Sequence, residues 1–312
     1  MTVSTSATST TALSDALSDA LSIARYHIVL IAMAASLVFG WLTTGRYGWV
    51  LALVVGLDWF LINLFNKVTD VEEDLKNAIP GTERVARWKG LLAPGCFALL
   101  ALSFASHLPF PEITPLRVVV QLIGLAYSYR LVPTPSGAKR IKQLYFFKNF
   151  GSAFLFVLTC IAYPLAVAGW RPIVPWAYAA ALTLFFVPFE VSYEILYDFR
   201  DLDGDRQEGI PTFPVVHGPE RARVLIDALL ALSVLVLLVA VGIGVFGVRE
   251  LLFMVAPIAQ WLFYRPRLTR GLTSDDCIAL THLGSAQLVL FLVGTRAWLA
   301  AGLPENILVP WG

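Results

Sequence analysis

Two stretches of the sequence carry acidic and amide side chains at helical spacing. The first, DWFLINLFNKVTDVEEDLKN, places Asn63, Asn66, Asp70 and Asp74 within an arc of about 80° if the chain turns by about 100° per residue. The second, FEVSYEILYDFRDLDGDRQEG, gives Glu190, Glu194, Asp198, Asp201 and Asp205 a similar arc, provided that the helix persists to Gly204. Clustered oxygen donors suit hard cations, and Mg²⁺ commonly combines one or two carboxylates with substrate phosphates. Acids at a helix C-terminus oppose the helix dipole, and a bound cation offsets that placement. Either cluster alone reads better as solvated loop charge. Two clusters at equal depth, both at helix ends, point to cations held around a diphosphate. A calcium loop does not fit: Asp201, Asp203 and Asp205 match its first three ligand positions, but Arg206 stands where Gly is needed and Thr212 where the bidentate Glu belongs. The acidic signature of the CDP-alcohol phosphotransferases is also absent.

The elements that must position these residues are membrane helices. Of the 312 residues 57% are hydrophobic and only 14% charged, against roughly 45–50% and about 25% in soluble domains. The surplus apolar surface requires lipid. Segments near 27–45, 47–66, 90–108, 114–130, 145–169, 173–197, 222–247, 249–264 and 279–302 are each apolar enough to read as a span. The expected fold is therefore all-α: a polytopic membrane protein with nine transmembrane helices in one bundle around a central cavity. Sorted by loop parity, 18 of the 23 Lys and Arg residues fall on one side. The positive-inside rule places the N-terminus and both Asp-rich helix ends in the cytoplasm. The net charge of +1 gives no electrostatic case for nucleic acid. Cys96, Cys160 and Cys277 are scattered and suggest neither zinc nor a disulfide framework. Residues 1–22 are rich in Ser, Thr and Ala and carry no basic residue, so they lack the n-region of a secretory signal. They read as a flexible N-terminal tail, with a surface helix suggested by Leu13, Leu17 and Leu21. The rest, 23–312, reads as a single transmembrane domain.

With these motifs in view, the sequence resembles the UbiA-type intramembrane prenyltransferases. Asn66-x₃-Asp70-x₃-Asp74 is similar to their first Asp-rich motif, and Asp198-x₂-Asp201-x₃-Asp205 with its tail RQEGIPTFPVVHG to the second. AYSYRLVPTPSGAKR resembles the Tyr-Ser…Lys-Arg segment after the fourth span. Two positions depart from the pattern: Lys67 replaces an Asp that often follows the motif Asn, and Tyr197 an Asn that often precedes the second motif.

The resemblance implies an enzyme that holds an isoprenyl diphosphate through Mg²⁺, ionises its C–O bond and passes the carbocation to a lipophilic acceptor, whether aromatic, quinone precursor or lipid. It implies Asp70, Asp74, Asp198, Asp201 and Asp205 as catalytic metal ligands, with Asn66 as a ligand or positioning group. Lys139, Arg140 and Lys148, and more weakly Arg25, become candidate diphosphate contacts. Tyr127, Tyr197, Tyr193, Tyr145 and Phe65 could wall the carbocation through their aromatic faces. Glu190 or Glu194 could deprotonate an acceptor or order the site. His282 and Gln287 are candidates for acceptor contact or for hydrogen bonds between helices. Gly124 and Gly151 either leave room for the prenyl chain or permit close helix packing. A terpene cyclase on the same scaffold needs the same metal site. A cation transporter is a remote alternative, since it would place carboxylates near the bilayer midplane.

Overall fold

The computed structural model describes residues 18–304 except 78 and 80. Among them the chain is helical, with no strand beyond one isolated backbone bridge between Val132 and Lys139. Of the expected tail, residues 18–22 are helical and Asp19 pairs with Arg84 at 3.0 Å, while 1–17 lie outside the described residues.

Thirteen helices follow: α1 (Tyr26–Thr44), α2 (Trp49–Thr69), α3 (Val71–Lys76), α4 (Thr82–Ser103), α5 (Thr114–Ser128), α6 (Phe147–Val157), α7 (Tyr163–Val167), α8 (Trp176–Arg200), α9 (Leu202–Glu208), α10 (Phe213–His217), α11 (Pro219–Gly242), α12 (Val255–Leu268) and α13 (Ser274–Ala300). Among the described residues seven elements are long and apolar enough to cross a membrane. They are α1, α2, α4 with its 3₁₀ extension to His107, the segment Phe147–Val167, α8, α11 and α13. The count of nine is thus not confirmed. The expected fourth and eighth spans are helices of 15 and 14 residues, α5 and α12, each entered through a 3₁₀ segment. Runs that are apolar but broken by Pro or by a tight turn look like full spans in a hydropathy window.

Local sequence explains the helix ends. Gly45, at φ 71°, closes α1 by donating its N–H to the Trp41 carbonyl, a left-handed conformation that Gly adopts without a Cβ penalty. Thr273 and Asp276 form a reciprocal capping box at the start of α13. A π-turn at Leu158–Ala162 joins α6 to α7, and there Thr159 receives the Trp59 indole N–H of α2 at 3.1 Å.

Helices α1, α2, α6–α7 and α8 are the most buried, and α4, α11 and α13 flank them with apolar faces such as Leu91, Leu102 and Leu235 exposed. That arrangement suits a bundle whose outer surface meets hydrocarbon. Inside it Asp58 of α2 pairs with Arg117 of α5 at 2.8 Å and accepts hydrogen bonds from Gln121 and Tyr163, all buried. Pairing of this kind offsets the cost of ionisable groups in apolar surroundings.

Candidate active site

Both Asp-rich stretches break their helices at an aspartate. α2 ends at Asp70 (φ −97°, ψ 21°), which also begins α3. α8 ends at Asp201 (φ −92°, ψ 6°), which also begins α9. The condition that the helix persist through Gly204 is therefore not met: a non-helical residue intervenes at Asp201 and puts Asp205 on a separate short helix. The two kinks repeat one another bond for bond. Asp70 N–H donates to Asn66 O, Asp74 N–H to Asp70 O and Ile79 N–H to Asp74 O. Likewise Asp201 N–H donates to Tyr197 O, Asp205 N–H to Asp201 O and Ile210 N–H to Asp205 O. The short helices meet: Gly204 of α9 lies so close to Asn77 that a Cβ there would stand 2.5 Å from the amide, and Lys76 pairs with Glu208.

Basic residues hold the carboxylates in place. The Lys142 ammonium bridges Asp70 at 2.7 Å and Glu73 at 2.6 Å, and Arg140 donates to Asp70 at 2.7 Å. The Lys148 ammonium bridges Asp198 at 2.8 Å and Asp205 at 2.9 Å, and Asn149 donates to Asp198 at 2.8 Å. Asp74 pairs with buried Lys67 at 2.8 Å, and Asp201 with Arg200 at 2.6 Å. In the register of the two kinks Lys67 corresponds to Asp198, so the first motif carries its own cation where the second has a carboxylate. Burial alone would raise the Asp201 carboxyl, but Arg200 beside it pulls it below the usual range. Burial pushes Asp205 up to about 7 against the opposing charge of Lys148. Glu73 is also raised by burial, with Lys142 opposing.

Among the described residues no three His, Cys, Asp or Glu groups gather as a ready metal cage. The donor set nonetheless fits a hard cation. Asn66 Oδ1 and Asp205 Oδ1 are buried oxygens without a partner. In each motif two carboxylates converge on a single ammonium, the arrangement that a small cation of higher charge would also satisfy.

Beside the kinks lies a cavity of about 340 Å³. Its walls come from Arg25 just before α1, α1 (His27, Ile31), α2 (Trp59, Asn63, Asn66, Lys67), α5 (Tyr127), α6 (Ser152, Phe156), α8 (Glu190, Tyr193, Glu194, Tyr197, Arg200) and α13 (Asp275, Thr281). A smaller cavity of about 60 Å³ continues inward behind Ile31, Phe156, Glu190 and Tyr193, among Phe39, Phe186, Phe189 and Phe291.

The expected residues sort accordingly. Asn66, Arg25, Tyr127, Glu194 and Tyr197 line the cavity, while Asp70, Asp74, Asp198, Asp201 and Asp205 stand behind its rim in ion pairs. Arg25 reaches it from a left-handed backbone (φ 44°) and approaches Asn63 at 3.5 Å. Lys139 does not join: its backbone pairs with Val132, and its neighbours Arg140 and Lys142 make the contacts. Phe65 packs on Phe97 and Tyr129 instead, and Tyr145 bonds His217. His282 bonds Tyr26 at 2.8 Å, whereas Gln287 lines the inner cavity. Gly124 and Gly151 line neither cavity; a Cβ on Gly124 would meet Ile62 at 2.6 Å, so this glycine permits close packing of α5 on α2. Lys142, Arg200, Glu73 and Asn149 were missed. Lys142, two residues beyond the Lys-Arg pair, offered a signal in that alternation.

The UbiA prenyltransferase family model matches residues 26–292. The chain belongs to the UbiA prenyltransferase family. Its fold is that of a UbiA homolog from Archaeoglobus fulgidus bound to GPP and Mg²⁺, with TM-score 0.63 at 19% identity over 88% of this chain and 98% of that one. The DMAPP and Mg²⁺ complex of the same homolog gives TM-score 0.60 at 19% identity, covering 88% and 97%. A stretch of 62 residues is 40% identical to digeranylgeranylglyceryl phosphate synthase of Haloquadratum walsbyi, 20% of this chain and 22% of that relative. As a UbiA family member with seven membrane-length helices, it is a multi-pass membrane protein.

Proposed function

We propose that this protein transfers an isoprenyl group from its diphosphate to a lipid acceptor, with Mg²⁺ bound between the two Asp kinks. The observation that carries this reading is the meeting of two equivalent kinks, each holding paired carboxylates, beside a cavity that continues into an aromatic-lined pocket. The relatives' substrates agree with it: one fold relative binds GPP or DMAPP with Mg²⁺, and one partial sequence relative is named for a lipid product.

Asp70, Asp74, Asp198, Asp201 and Asp205, with Asn66, would hold the metal, which neutralises charge building on the departing diphosphate. Lys142 and Lys148, with Arg140, stand on the same carboxylates and would be cations for the phosphate oxygens once the metal takes their place. Arg25, Lys67 and Arg200 add positive charge along the cavity wall. Tyr127, Tyr193 and Tyr197 offer aromatic faces to the allylic cation, which they stabilise without reacting with it. The apolar inner pocket takes the prenyl chain out of water, worth about 0.8 kcal/mol per CH₂. The Asp kinks and the N-terminus lie on the cytoplasmic side, the side richer in Lys and Arg.

The test is mass spectrometry of lipids from membranes supplied with C10 to C20 allylic diphosphates. Prenylated lipid supports transfer. A cyclised hydrocarbon or alcohol in its place would assign the chain to a cyclase.

A further inference from the structure

We propose that Glu190 is the general base that takes a hydroxyl proton from the lipid acceptor as the prenyl group is transferred, an assignment that rests on the prenyl-transfer reading above. Glu190 is 6% exposed and has no hydrogen-bond or ion-pair partner among the described residues. Every other carboxylate buried to this degree has one, from Asp58 with Arg117 to Asp276 with Arg270. A partnerless carboxyl inside an apolar bundle is costly. This one faces open space instead of packing: it lines both the 340 Å³ cavity and the inner pocket and marks their junction.

Its neighbour one turn along α8 is already committed. Glu194 accepts the Ser152 hydroxyl at 2.8 Å. Glu190 makes no such bond and is free to accept a proton, and Arg25, Lys67 and Arg200 line the same cavity.

The position along the helix also fits. Glu190 lies eight residues from Asp198, about 12 Å of helical rise. A metal–oxygen bond of about 2.1 Å, a diphosphate, an approach of about 3–3.5 Å between reacting atoms and a hydrogen bond of about 2.6–3.2 Å to the base together span that separation.

The step balances. The C1–O bond of the allylic diphosphate breaks and its electron pair leaves with the diphosphate. The acceptor oxygen forms a new C–O bond to C1, its O–H bond breaks, and the proton goes to a Glu190 carboxylate oxygen. The product is an ether.

The experiment uses membranes containing the full-length protein, ¹⁴C-geranylgeranyl diphosphate as probe and the membrane's own lipids as acceptor. Glu190→Gln keeps the size of the side chain but accepts no proton. It should lower label incorporation into lipid by at least about 100-fold with donor affinity unchanged, and Glu190→Asp should fall between the two. A smaller loss, a loss of donor binding, or a wild-type product joined through carbon would each overturn the assignment. Wild-type membranes that neither bind nor consume the donor would instead show that the prenyl-transfer reading itself is wrong.

Discussion

Asp70 and Asp201 occupy the same place in two different helices. Each ends a long membrane helix, begins a short one, and has nearly the same backbone angles (−97°, 21° and −92°, 6°). Each receives the N–H of a second aspartate four residues on. A duplicated kink of this kind puts the last aspartate of each motif on a short helix of its own, and the two short helices meet where Gly204 packs on Asn77.

The first prediction concerns those carboxylates. Asp70→Ala and Asp198→Ala should each lower turnover by at least about 100-fold, the scale of losing one electrostatic stabiliser of a transition state, while the protein still inserts. Wild-type turnover in either purified variant would remove the kinks from the chemistry.

A second prediction concerns orientation. In a background lacking Cys96, Cys160 and Cys277, a cysteine at exposed Ser136 should label from the cytoplasm and one at exposed Arg46 from the opposite side. The reverse pattern would invert the topology inferred from the basic residues.

The buried pair of Asp58 and Arg117 yields a stability prediction. Arg117→Met leaves a carboxylate stranded and should cost about 3–5 kcal/mol. Asp58→Leu combined with Arg117→Met should cost less than that single change. A double variant whose thermal midpoint falls below that of Arg117→Met would contradict this reading.

Chain length should be read in the inner pocket. Ala256 borders it, so Ala256→Leu should lower the C20-to-C10 ratio of kcat/KM. Gly124→Leu should destabilise the bundle without moving that ratio, because its Cβ would press on Ile62. The opposite outcome at these two positions would place the prenyl chain against α5.

Much of this was legible in the sequence. Helical spacing singled out two acidic clusters, Asp70 with Asp74 and Asp198 with Asp201 and Asp205, and hydropathy found the helices that carry them. The kink at Asp201 was not legible, since the residues from Phe199 to Arg206 carry no proline and their spacing suits an unbroken helix. Nor was the role of Lys67: spacing shows that a basic residue sits inside an acidic motif, and only the fold shows its ammonium on Asp74. Cavity walls were missed for a similar reason. α1 and α13 contribute His27 and Thr281 from the two ends of the chain, a distance that periodicity cannot bridge.

Binding of an allylic diphosphate between the paired kinks through Mg²⁺, for transfer to lipid, makes labelling depend on the metal. Its most direct measurement follows ¹⁴C from geranylgeranyl diphosphate in membranes containing the full-length protein, with Mg²⁺, with EDTA, and with Mg²⁺ restored. Labelled lipid is expected with Mg²⁺, none with EDTA, and recovery on restoration. Labelling that persists at the full rate in EDTA, or no labelled lipid under any condition, would contradict it.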